Sequence, residues 1–167
     1  YAVEPKGKLK APRKASRVRY RIKGIPLRNL EEASDRQEIV DAREKIIEVV
    51  DDPPRRMETP EDLEAFTRDA PFIESREKSI RAAAEEAVRG AQNRFDSLRR
   101  VSNWVFRSVK KKPAAGIPSA LAVLNTLEGD CNEHSILFTA LARSLGIPAK
   151  LQLGVVYQAG QFFYHAW

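Results

Sequence analysis

The chain has 167 residues, 43% of them hydrophobic and 31% charged, with a formal net charge of +6. That is an ordinary globular composition, long enough for one domain or one domain plus an appendage. No run approaches the roughly 18 apolar residues a membrane span needs, no signal peptide is visible, and a single cysteine rules out an internal disulfide.

The charge is uneven. Residues 1–26 hold nine basic side chains, from Lys6 to Lys23, against the single acid Glu4, while the remaining 20 basic residues face 22 acids. A stretch of this kind could touch nucleic acid or an anionic surface. It lacks interleaved aromatic platforms for stacking bases, so no nucleic-acid partner is expected. Residues 1–15, rich in Lys, Pro and Ala, read as a mobile lead-in. The chain begins at Tyr1 rather than Met, and a segment before it is expected.

From residue 17 the pattern alternates. Val18, Tyr20 and Ile22 point one way and Arg17, Arg19, Arg21 and Lys23 the other, which predicts a strand ended by Gly24 and Pro26. Residues 27–52 are ambiguous between helix and strand, although the β-branched run IIEVV before Asp51-Asp52-Pro53-Pro54 favours a strand. Residues 51–58 read as a linker. Thr59, Pro60, Glu61 and Asp62 then form a helix start. A longer helix is predicted through Ile80, Ala84, Ala87, Val88 and Ala91, and another after Asn93 with Phe95, Leu98, Val101, Val105 and Val109 on one stripe and Trp104 beside it. Lys110-Lys111-Lys112-Pro113 ends that helix, and Ser119 caps a short one closed by Gly129.

The next segment carries the chemistry. Asp130 and Glu133 make a capping-box pattern that starts a helix at Cys131. The helix is apolar nearly all round from Ile136 to Leu145, so it is buried, and Gly146 ends it. A thiol on its first turn sits in the positive field of the helix end, which favours the nucleophilic thiolate. Free backbone N–H groups there could also hold a developing oxyanion. Asp130 and Glu133 oppose the thiolate, so a protonated imidazole partner would be needed. LQLGVVYQ, the turn Ala159-Gly160 and QFFYHAW predict a hairpin that brings His165 to a strand adjacent to this helix. A cysteine at a helix start with a histidine in the same small fold points to a nucleophile and its base. His134, one turn after Cys131, could compete as base or begin a metal site, but a lone C-x-x-H without further ligands is weak, and a structural hydrogen bond fits it better. Trp104 could assist an oxyanion, though its helix position suits core packing. Tyr164 should face the opposite side of the strand from His165. No phosphate loop, dinucleotide fingerprint or calcium loop is present, and no cofactor or metal is called for.

GDCNEH, ALARSLGIPA, LGVVY and FFYHAW resemble the core of the transglutaminase-like superfamily, especially its bacterial members, over roughly residues 59–167. The resemblance implies an α+β, papain-like fold with helices packed on a small antiparallel sheet. It matches Cys131 to the nucleophile and His165 to the general base of a Cys-His-Asp triad. The family's Asp follows the His on the next strand; the chain stops at Trp167, so further residues of the same protein are expected beyond it, with the Asp within about 10–20 residues, and the chain as given should be weak or inactive. The implied chemistry is thiol-dependent acyl transfer on protein or peptide amides, as a protease or amidase if water is the acceptor and as a transglutaminase if an amine is. The alternative is a catalytically silent binding or scaffold module. Residues 1–58 are read as a basic N-terminal segment with strands and a linker, and 59–167 as the catalytic core. A periplasmic or secreted location would suit the resemblance, but the residues do not fix the compartment.

Overall fold

The computed structural model describes residues 2–7, 9, 11–24, 36–52, 58–113, 116 and 118–167. They fall into two units, one of residues 1–57 with 157–163 and one of residues 58–156 with 164–167. Residues 25–35 and 53–57 lie outside the described set, so the turn at Pro26, part of the ambiguous 27–52 stretch and most of the linker have no structural counterpart here.

The first unit is built on strands. β1 (Ala2–Val3) pairs antiparallel with Phe162–Phe163, and a short 3-10 turn covers Pro12–Lys14. Within residues 1–15, read from the sequence as a mobile lead-in, these two short elements are the regular structure among the described residues. The unpaired backbone groups of an edge strand attract a partner, and Ala2 and Val3 supply one. β2 (Arg17–Arg21), β3 (Gln37–Asp41) and β4 (Ile46–Val50) form a separate antiparallel sheet in the order β2-β4-β3. The IIEVV run is its central strand, as its β-branched residues favour, and Ile39 and Val40 lie in β3, which settles that part of the ambiguity as strand. Tyr20 stands opposite Ile47 and Val18 opposite Val49. On the other face Glu48 is buried beneath two arginines, accepting from Arg17 Nη1 at 3.0 Å and Arg19 Nε at 2.7 Å. Arg21 pairs with Glu44. Three charges of the basic stripe are thus answered within the unit, which weakens it as an anion-binding face.

The second unit is mainly helical. α1 (Pro60–Ala65) starts at Thr59, whose hydroxyl accepts from the Asp62 N–H at 3.1 Å while Asp62 accepts from the Thr59 N–H at 3.2 Å. α2 (Lys78–Ala87) and α3 (Arg94–Ser108) follow, the latter capped by Asn93. Two corrections concern α3. Phe95 is 78% exposed rather than part of the core stripe, which is carried by Val101, Val105 and Val109. Lys110–Lys111 form a two-residue strand, β5, parallel to β6 (Glu128–Gly129). α4 (Ala120–Thr126) is capped by Ser119 and ends at Leu127 in the left-handed region, φ 50°, not at Gly129. α5 (Cys131–Ser144) closes with Gly146 at φ 70°, and the Ile147 N–H reaches back to the Ala142 carbonyl at 3.0 Å, the glycine-terminated ending its sequence predicts. β7 (Leu153–Gln158) and β8 (Gln161–Ala166) form a hairpin turned at Ala159 and Gly160, φ 51° and 88°. They are neighbours in a sheet ordered β1-β8-β7.

α5 is the axis of the helical core. Its Ile136, Leu137, Ala140 and Leu141 pack with Ile80 and Ala84 of α2, Val101 and Val105 of α3, and Ala120 and Val123 of α4. Each fully buried Leu or Ile contributes about 1.5–3 kcal/mol. Arg143, on the same helix, is buried because its guanidinium donates to the carbonyls of Arg68 at 2.7 Å and Ala149 at 2.9 Å. The fold is α+β: helices around α5 and small sheets of mostly antiparallel strands.

Candidate active site

The sequence places a thiol at a helix start, and Cys131 is the first residue of α5, half-buried and unbridged. The cap is built around it. Glu133 Oε2 accepts from the Asp130 N–H at 2.7 Å. The Asp130 carbonyl accepts twice from His134, from its backbone N–H at 3.1 Å and its ring Nδ1 at 2.7 Å. A carbonyl only accepts, so Nδ1 carries the hydrogen. His134 therefore has the structural hydrogen bond that suited it best. Among the described residues no group of three or more His, Cys, Asp or Glu is gathered as a metal site.

Glu133 is buried, and its other oxygen, Oε1, has no hydrogen-bond partner. Its position depends on Gly129: a Cβ there would fall 2.1 Å from Glu133 Cβ. A cavity of about 320 Å³ adjoins this side of the helix start, lined by Pro113, Pro118, Val123, Thr126, Gly129 and Glu133 among others. Neither Cys131 nor His165 lines it.

His165 lies on β8, half-buried, its ring stacked on that of Trp167 with centroids 6.0 Å apart and planes 25° from parallel. Among the described residues no hydrogen bond joins it to Cys131. The link between strand and helix is made by Tyr164, whose hydroxyl donates to Asn132 Oδ1 at 2.7 Å. Each partner of that bond adjoins a candidate, Tyr164 beside His165 and Asn132 beside Cys131. Burial pushes the Tyr164 phenol up, and the charges of Cys131 and Glu133 push it further in the same direction, which keeps it a donor. Tyr164 is the residue the sequence reading missed. Alternation correctly puts it on the opposite face from His165, but nothing in the spacing tells which face meets α5. Trp104 packs against the helical core, as its position on α3 suggests.

Residues 81–167, more than half the chain, match the family described as the Transglutaminase-like superfamily. With that coverage, the chain belongs to the superfamily. Among solved structures it is similar to a "putative cysteine protease" from Cytophaga hutchinsonii, with 20% identity and a TM-score of 0.57 over 65% of this chain. The chain spans 37% of the length of that protein, and at this identity the likeness speaks for the fold. No curated protein matches significantly.

Proposed function

We propose that the chain carries the nucleophile and base of a thiol acyl-transfer enzyme acting on protein or peptide amides, within a catalytic core of residues 59–167. The observation that carries the reading is the half-buried, unbridged Cys131 as the first residue of the central helix α5; the Tyr164–Asn132 hydrogen bond at 2.7 Å brings the strand that bears His165 to that helix start. In this reading the Cys131 thiolate attacks the amide carbonyl carbon, and the oxyanion is held by backbone N–H groups at the helix start. The C–N bond then breaks. Imidazolium at His165 gives its proton to the departing amine and a thioester remains on Cys131. Water or a second amine attacks the thioester, His165 takes the attacker's proton, and the carboxylic acid or new amide leaves as the thiol is restored. Water makes the enzyme a protease or amidase, as the name of the Cytophaga protein suggests; an amine makes it a transglutaminase. No residue of the chain is assigned to the acid of a triad.

A silent binding module is favoured by one observation: it is Tyr164, not His165, that touches the first turn of α5. The two readings divide on reactivity. The chain, incubated with casein and dansylcadaverine, should incorporate the amine or release peptides only weakly, Cys131→Ala should do neither, and Cys131 should react with iodoacetamide faster than a simple free thiol. A chain that does neither while Cys131 reacts with iodoacetamide no faster than a simple free thiol is a silent module.

A further inference from the structure

The end of the hairpin holds an arrangement that the acyl-transfer reading does not use. Gln152 and Trp167 exchange both backbone hydrogen bonds, Gln152 N–H to Trp167 O at 2.9 Å and Trp167 N–H to Gln152 O at 3.0 Å. That pair and the two-residue turn at Ala159–Gly160 agree on one register, which sets Gly154 across from His165. Position 154 has no side chain, and the Trp167 ring fills the space: a Cβ on Gly154 would lie 2.8 Å from Trp167 Cη2. Real Cβ atoms do not approach that closely, so only glycine admits the ring there. The indole is fixed at its other side by its Nε1–H, which donates to Gln152 Oε1 at 3.1 Å. The backbone pair, the glycine floor and the hydrogen bond together favour one placement of the ring, with about half of the residue's surface left exposed. Its outer face carries the His165 imidazole, within the 4.5–7 Å range of aromatic pairs.

We propose that Trp167, seated on Gly154 and tied to Gln152, is a positioning residue that sets the orientation of the His165 imidazole. The inference rests on the reading of His165 as base, and its physical reason is general. A base acts only when its ring is aimed, and a group that limits the ring's rotation lowers the entropic cost of reaching the reactive geometry. In triad enzymes a hydrogen bond donated by the ring's Nδ1–H to a carboxylate does this. Here a stacked indole restricts the ring's tilt from one face, and its electron-rich surface also favours the imidazolium that forms during the reaction.

The chain has two histidines, so the imidazole proton signals of the full chain can be assigned with His134→Gln. The His165 ring protons should be shifted upfield by the indole ring current. Trp167→Leu should abolish that shift, Trp167→Phe should keep most of it, and Gly154→Ala, which leaves the indole present but lifts it, should reduce it. Iodoacetamide alkylation of Cys131 should slow in Trp167→Leu by several-fold, up to the roughly tenfold lost without the imidazole, because a base that is not aimed loses its effect, and recover in Trp167→Phe. A merely structural tryptophan would not give a phenylalanine rescue of reactivity at unchanged thermal midpoint. A His165 spectrum unaltered by Trp167→Leu overturns the proposal whatever the alkylation rates do, and so does a lost ring shift with undiminished alkylation where His165→Gln does slow alkylation. If alkylation is indifferent to His165→Gln while the ring shift is present and lost in Trp167→Leu, the acyl-transfer reading fails and the orienting contact stands.

Discussion

Gly129 shows how narrowly the helix start is built. It lies one residue before the cap of α5, and the Cβ of an alanine there would meet the buried Glu133 side chain at 2.1 Å. That contact is with Cβ rather than the far end of a flexible chain, so backbone must move. Gly129→Ala should destabilise the protein by about 1–3 kcal/mol, read as a lowered denaturant midpoint at unchanged slope. Sequence reasoning saw this glycine as a helix terminator, because glycine after an apolar helix usually is one. Its actual role, admitting the Glu133 side chain four residues on, is a local contact at the start of the next helix rather than the end of the preceding one. Tyr164 is a tertiary matter. The period of two fixes that it opposes His165, but which face meets α5 depends on how the strand docks. Cys131 was legible for the opposite reason: the cap residues Asp130 and Glu133 and the glycine stop at Gly146 are local signals, and they bracket one helix.

Among the elements, α3 offers a clean electrostatic test. Asp96 sits in its first turn, where the backbone N–H groups favour an anion, and hydrogen bonds from Arg100, then Arg99, then the Gln92 N–H hold its carboxyl down to about 2. A folded value below the unfolded one of about 3.9 means that ionised Asp96 stabilises the folded state. That contribution is complete above the unfolded value and is lost as pH falls through the folded one. Asp96→Asn should therefore be less stable than the native chain near pH 7, and the gap should close between about pH 4 and pH 2; urea melts across that range check it. A gap that stays constant would mean the arginines stabilise nothing through charge. Among elements of ten residues or more, α2 and α3 were read from their apolar spacing, and α5 from its capping box, its apolar run and its glycine stop. The two-residue strands β1, β5 and β6 have too few positions to show a period, and Leu127 ends α4 in a left-handed conformation that an apolar side chain does not advertise.

At the scale of the molecule, the helical core is what holds Cys131 in place. Leu137 lies two turns along from the cysteine and is fully buried. Leu137→Ala should cost about 2–5 kcal/mol, measurable by chemical denaturation, because α5 is surrounded by α2, α3 and α4 and cannot collapse into the space. The α+β class and the superfamily were legible because α5, which carries the cysteine motif, is also the buried axis of the helical core, and because the hairpin with the histidine motif is announced by its turn residues. What the sequence left open is the approach of two side chains separated by 33 residues, which depends on the docking of a strand end against a helix start. The direct measurement is the rate of iodoacetamide alkylation at Cys131 near pH 7 in the native chain and in His165→Gln. A nucleophile paired with its base should react about tenfold faster than glutathione and lose that advantage without the imidazole. Equal rates in the native chain, the variant and the free thiol would contradict the pairing of Cys131 with His165.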